Sequence, residues 1–262
     1  MAGALSQQGL SAAIELRELS KRYGGADGVV ALERIHLDVG AAEFVSIIGP
    51  SGCGKSTLLR VIGGLLPHDS GQARLLDKPI DGPPPNVGMV FQKANLLPWR
   101  TVVGNLRLGV ELHGGGSAAG TAERVRQMLE LLGLQEFGQR YPHELSGGMQ
   151  QRVAIGQALM RNPRVLLMDE PFGALDALTR DRLNVELLRV WQADRKTVVL
   201  VTHSIAEAIF LSDRVIVMSP RPGRIIEEIR IDLPRPRDPR STRELPEFGH
   251  YVVQLSELMG IV

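Results

Sequence analysis

The residues best equipped for chemistry lie in two glycine-rich turns and one acidic pair. The first turn, "GPSGCGKST" at residues 49–57, follows the apolar run "FVSII" and leads into a pair of leucines. This is the pattern G-x-x-x-x-G-K-[ST] in the strand–loop–helix setting that it needs to work. Gly49, Gly52 and Gly54 let successive backbone N–H groups curl around phosphate oxygens, with Pro50, Ser51, Cys53 and Thr57 completing the cradle. The helix start adds its partial positive charge. Lys55 is placed to reach β- and γ-phosphates, and Ser56 to offer its hydroxyl to Mg²⁺. Such a loop needs an acid at the end of a neighbouring buried strand, and "RVLLMDEP" provides one. Its apolar run 165–168 delivers Asp169, suited to the metal, and Glu170, suited to polarise an attacking water as general base. Cys53 reads as a small filler within the loop.

The second turn, "LSGGMQQR" at residues 145–152, also opens a helix but carries no lysine. It offers free N–H groups, a serine hydroxyl and a positive dipole end, an anion site of the weaker sort. A chain that holds a nucleotide at Lys55 does not need it for the same phosphate. Ser146, Gly147 and Gly148 make sense if they are presented to a γ-phosphate held by another copy. Two copies, head to tail, would then complete each other's sites.

The elements around these turns follow from hydrophobic period. Ile14, Leu16 and Leu19 alternate with Glu15, Arg17 and Glu18, and Ile35, Leu37 and Val39 with His36 and Asp38. Both read as half-buried antiparallel strands. "FVSIIG", "VGMVF", "RVLLM", "TVVLV" and "RVIVM" are short apolar runs, the pattern of strands covered on both faces. Helical patterns at 180–194 and 204–211 lie among them, which predicts a mainly parallel sheet with helices on its faces. Ser204 and Glu207 have capping-box spacing. Between Pro98 and Ser146 the strand signal stops, and Val125, Met128, Leu129 and Leu132 predict an amphipathic helix. A proline-rich exit follows Met218, and Phe248, Tyr251, Val252, Leu255 and Met259 again have helical spacing.

Bulk properties exclude several classes. The 262 residues are 44% apolar and 23% charged, an ordinary globular composition. A net charge of +1 does not advertise nucleic acid or an anionic membrane surface as a partner. One cysteine rules out an internal disulfide and suits a reducing compartment. The start lacks the pattern of a signal peptide, and no window reaches the roughly 18 apolar residues of a membrane span. The expectation is a soluble chain that serves any membrane through a partner.

In this order the motifs resemble those of the ATP-binding subunit of an ATP-binding cassette (ABC) transporter, over residues 14–235. Tyr23 in "SKRYGG" resembles the aromatic that stacks on adenine, and Gln92 in "MVFQ" the glutamine that senses metal and γ-phosphate. "LSGGMQQR" resembles the signature turn that closes over the opposite protomer's ATP, "GALD" ends in the interface residue Asp176, and His203 in "VTHS" resembles the histidine that contacts the γ-phosphate. Departures are Met149 where glutamine is common, Gly173 where serine is usual and Ser204 where aspartate often follows the histidine. The resemblance implies an α/β fold: a P-loop NTPase (RecA-like) core with an antiparallel β subdomain and an inserted α-helical subdomain. The ATPase domain would span 14–237, with the insertion at about 95–160 and a short helical extension over 238–262. It implies ATP and Mg²⁺ as cofactors. Glu170, His203, Gln92 and Lys55 become the catalytic set, with Ser56, Gln92 and Asp169 at the metal.

The resemblance further implies a second ATPase copy as partner, integral membrane permease subunits on separate chains and, indirectly, a solute-binding protein. It places the chain peripherally on the cytoplasmic face of the membrane. "LLPWRTVVGNL" and "MSPRPGRI" resemble the branch that imports nitrate, sulfonates, taurine and related solutes. The segment 93–106 is expected to meet the permease, with Trp99 as either an interface anchor or a core residue. The alternative is a non-transport ABC ATPase acting on DNA or ribosomes. The long coiled coil or second cassette usual in such proteins is absent from the sequence.

Overall fold

The computed structural model describes residues 12–25, 28–111, 118–173 and 175–261. Two sheets form its frame. The first is antiparallel, with β1 (Ala12–Tyr23) between β2 (Val29–Gly40) and β4 (Ser70–Leu75), and β5 (Lys78–Pro79) at the edge. The second has six strands: β3 (Phe44–Ile48), β6 (Val87–Val90), β7 (Val165–Asp169), β8 (Thr197–Val201), β9 (Arg214–Met218) and β10 (Ile225–Arg230). Their order is β10-β9-β3-β8-β7-β6, parallel throughout except for β10. Every residue of β3, β7 and β8 is buried, as expected of strands covered on both faces.

Three strands escape the period-based reading because they bury too little to show one. In β4 only Ala73 and Leu75 are buried, in β10 only Ile229, and β5 is two exposed residues. The alternation in β1 and β2 also breaks where Glu18 and Arg34 adopt left-handed φ values of 48° and 47°. Register shifts accompany the break, so the strands bulge yet keep Leu16, Leu19 and Ile35 inward.

Helix α1 (Lys55–Ile62) leaves the phosphate loop. Between β6 and β7 lie α2 (Val102–Glu111), α3 (Ala118–Leu131) and α4 (Gly147–Leu159), with no strand among the described residues. These helices share a core of their own, including Val102, Leu106, Val125, Leu129 and Val153. Helix α5 (Ala177–Ala193) starts a turn before the apolar pattern does, because the Asp176 carboxylate caps it by accepting from the Thr179 N–H at 3.0 Å.

In α6 (Ile205–Leu211) only half of the expected capping box forms. Ser204 Oγ accepts from the Glu207 N–H at 3.3 Å, but the Ser204 N–H is taken by Thr202 Oγ1 at 3.0 Å. The Glu207 side chain turns inward instead and is buried. Helix α7 (Pro246–Leu258) lays Phe248 and Leu255 against the core beside α6. The stretch leading to α7 is pinned by arginine. Buried Arg237 donates to the carbonyls of Ile209, Phe210 and Ser212 at the C-terminal end of α6, where a cation offsets the helix dipole. Arg235 bonds Asp213 at 2.8 Å and lies over Trp191.

Candidate functional site

A cleft of about 540 Å³ opens above the C-terminal ends of the parallel strands. One end is formed by Tyr23, Val29 and Ala31 from the antiparallel sheet, the floor by the phosphate loop, and the far end by Gln92 and Glu170. The loop begins where β3 stops. Gly54, with φ of 110°, must be glycine, since a Cβ there would lie 2.7 Å from the Ala31 carbonyl oxygen. Lys55 is buried, and its ammonium donates to the carbonyls of Gly49 at 2.8 Å and Pro50 at 2.9 Å. Cys53 is 1% exposed and sits in the core under the loop, the filler position expected of it.

Strand β7 brings the acidic pair to this floor. Ser56 Oγ donates to Asp169 Oδ1 at 2.8 Å. Burial raises the Asp169 pKa, and the Ser56 hydrogen bond, Arg60 and Lys55 pull it part of the way back. Two hard oxygen donors thus meet at a helix N-terminus. Among the described residues no group of three His, Cys, Asp or Glu side chains could hold a metal alone. The Ser56 and Asp169 oxygens fit Mg²⁺, which keeps waters and takes phosphate oxygens beside one or two protein ligands.

The next residue, Glu170, has a left-handed φ of 45°, a costly conformation for a side chain other than glycine. It aims the carboxylate out of the sheet. Glu170 Oε2 accepts from Gln92 Nε2 at 3.1 Å and lies 3.5 Å from His203 Nδ1. Gln92 comes from the end of β6 and His203 from just beyond β8, so three neighbouring strands converge on one carboxylate oxygen. A Cβ on Gly173 would stand 3.6 Å from the His203 ring and 3.7 Å from Glu170 Oε2, ordinary contact distances. Tyr23 is 42% exposed at the opposite end, its hydroxyl 3.3 Å from Thr57 Oγ1.

The second glycine turn lies apart from this cleft. Ser146, Gly147, Gly148 and Asp176 are not among its lining residues. Ser146 caps α4 by accepting from the Met149 N–H at 3.3 Å, and it is exposed together with Gly147 and Asp176. Gly148 packs on the start of α5, where a Cβ would come within 3.0 Å of a Leu175 methyl. The second glycine turn and the Asp176 turn thereby lie side by side, with a helix N-terminus behind each. Trp99 is 71% exposed, which removes the core alternative for it. It rides on a loop held by fully buried Asn105, whose side chain bonds Leu97, Arg100 and Thr101 backbone groups.

The cleft has one charged lining residue to which the sequence reading gives no role. Arg221, within "MSPRPGRI", reaches the phosphate loop and donates to the Gly52 carbonyl through Nε at 3.2 Å and Nη2 at 3.0 Å.

Residues 32–173 match the family model described as ABC transporter. An uncharacterized ABC transporter ATP-binding protein of Methanocaldococcus jannaschii is 48% identical over 227 residues, 87% of this chain and 84% of the relative. A taurine import ATP-binding protein of Rhizobium johnstonii is 46% identical over 237 residues, covering 87% of each chain. The taurine import ATP-binding protein of an Escherichia coli strain is 42% identical over 235 residues, 88% of this chain and 92% of the relative. Among solved structures, a dimeric ATP-binding cassette in a post-hydrolysis state with ADP and Pi superposes with a TM-score of 0.76 at 34% identity, covering 83% of this chain and 98% of that one.

Proposed function

The chain belongs to the ABC transporter family as an ATP-hydrolysing, ATP-binding subunit, and on that premise we propose that it energises a membrane importer for taurine, another sulfonate, nitrate or a related small solute. The convergence of Gln92 and His203 on Glu170 Oε2, beside the Ser56–Asp169 pair, carries the catalytic half of this reading. The import half is supported by relatives named for taurine import. No helix among the described residues is long and apolar enough to cross a membrane, and the proposal gives the membrane passage to permease subunits.

ATP lies along the cleft with adenine against Tyr23 and its phosphates on residues 49–57. Lys55 leaves the loop carbonyls for the β- and γ-phosphates, exchanging neutral acceptors for charged ones. Ser56, Asp169 and Gln92 would hold Mg²⁺, which would neutralise developing charge on the phosphates. Glu170 orients the attacking water and takes its proton, Gln92 keeps that carboxylate aimed, and His203 faces the γ-phosphate. Ser146, Gly147, Gly148 and Asp176 serve the ATP of a second copy. Two bound nucleotides hold the pair closed, and hydrolysis releases it. The exposed loop around Trp99, braced by Asn105, suits a permease contact.

Affinity purification of the tagged chain from gently solubilised native membranes tests the transport half. A multi-spanning permease in stoichiometric yield is the expected result. Recovery of ribosomes or DNA without a permease would overturn the proposal and favour a non-transport ABC ATPase.

A further inference from the structure

The turn between β9 and β10 does more than connect two strands. Gly223 donates its N–H to the Ala31 carbonyl at 3.0 Å, and its own carbonyl accepts from the Glu33 N–H at 3.0 Å. A Cβ on Gly223 would fall 2.1 Å from the Cys53 carbonyl oxygen, so only glycine lets the turn lie this close to the phosphate loop. Ser219 Oγ accepts from the Arg224 N–H at 3.0 Å, and Arg224 pairs with Glu33 at 2.7 Å. The turn is thus bonded to β2 on one flank and packed on the phosphate loop at the other.

What this rigid turn presents to the cleft is Arg221. Its guanidinium is exposed, and the two bonds to Gly52 engage two of the five N–H donors that an arginine carries. A neutral carbonyl is a modest partner for a guanidinium beside a site built for polyphosphate. Sheet order fixes which part of the nucleotide lies nearest. Strand β9 flanks β3 on the side away from β8, β7 and β6, the strands that bring His203, Glu170 and Gln92. Arg221 therefore stands on the Ala31 side, away from the end where hydrolysis occurs.

We propose that Arg221 is a nucleotide-binding residue, a second cation beside Lys55 that contacts the phosphates shared by ATP and ADP at the adenosine side of the cleft. The inference rests on the reading of the cleft as the ATP site. Its consequence is that affinity for ATP and ADP depends on the residue-221 charge, while the chemical step does not. Arginine suits the role because its planar fork matches two phosphate oxygens at once, which lysine cannot do.

Isothermal titration with MgADP, and with MgATP on the Glu170→Gln background, tests this in the full chain. Arg221→Gln keeps an amide donor for Gly52 but removes the charge. It should weaken both nucleotides about fivefold or more, and flatten the ionic-strength dependence of ADP affinity. With Glu170 intact, kcat at saturating ATP should stay within about twofold of wild type. Arg221→Lys should recover part of the affinity. Unchanged affinity in Arg221→Gln, or a loss confined to ATP, would overturn the proposal. So would equal losses in the Gln and Lys variants with an unaltered salt dependence, since that result would make Arg221 a brace for the loop. Lys55→Ala is the separate control: nucleotide binding that survives it would undermine the reading of the cleft itself, whereas its loss beside an unaffected Arg221→Gln would discard this inference alone.

Discussion

In the proposed function Glu170 carries the chemistry, and it does so from a strained backbone. Its left-handed backbone turns the carboxylate off the end of β7, and Gln92 and His203 reach the same oxygen. A glutamine there keeps shape and hydrogen bonding but cannot accept a proton. Glu170→Gln should therefore lower kcat by about 10²–10⁴-fold, the usual contribution of a positioned general base, while ATP affinity is retained. Steady-state phosphate release checks the first part and direct titration the second. Residual turnover within tenfold of wild type would assign the base elsewhere. At this scale the sequence was most readable where spacing and setting agree. Lys55, Ser56 and Asp169 come from motifs that work through fixed backbone geometry. Arg221 was not legible as a site residue, because it reaches the loop through a hairpin whose second strand has almost no apolar pattern.

Helix α6 shows how an element can follow a local rule halfway. Ser204 and Glu207 have capping-box spacing, yet Thr202 takes the Ser204 N–H and Glu207 is drawn inside, 4% exposed. Among the described residues its Oε1 has no hydrogen-bond partner, and neither does the neighbouring Asn184 Oδ1. Burial raises the Glu207 pKa, with Thr202, Arg180, His203 and Asn184 pulling it back in part. A folded-state pKa above the unfolded value of 4.5 means that this carboxyl costs stability once the pH exceeds the folded value. The cost fades as pH falls and is gone below the unfolded one. Glu207→Gln, whose amide can donate to Asn184, should be more stable than wild type at pH 8 by about 1 kcal/mol, a gap that closes toward pH 4. Thermal or urea melts across that range measure it. A glutamine variant less stable at pH 8 would show that the charge is committed, with Arg180 the available partner. The same contest between pattern and packing explains the other elements. Strands β3, β7, β8 and β9 announce themselves because burial on both faces demands continuous apolar runs. Strands β5 and β10 lie at sheet edges, and β4 buries only Ala73 and Leu75, so pairing more than side-chain burial holds all three.

At the scale of the whole molecule, the proposal divides the phosphate-binding equipment between the cleft and the separate surface of Ser146, Gly147, Gly148 and Asp176. Gly148 packs against Leu175 and Thr179, so that surface is continuous with the start of α5. The reading requires a second copy, turned head to tail, to bring the two halves together over ATP. The sequence pointed to this arrangement only through redundancy, a second anion-binding turn with no lysine of its own. Light scattering of Glu170→Gln on a sizing column, with and without MgATP, tests the shared site most directly. The account predicts a monomer without nucleotide and twice that mass with MgATP, the shift abolished by adding Ser146→Arg. A Glu170→Gln protein that binds MgATP and remains a monomer would contradict it.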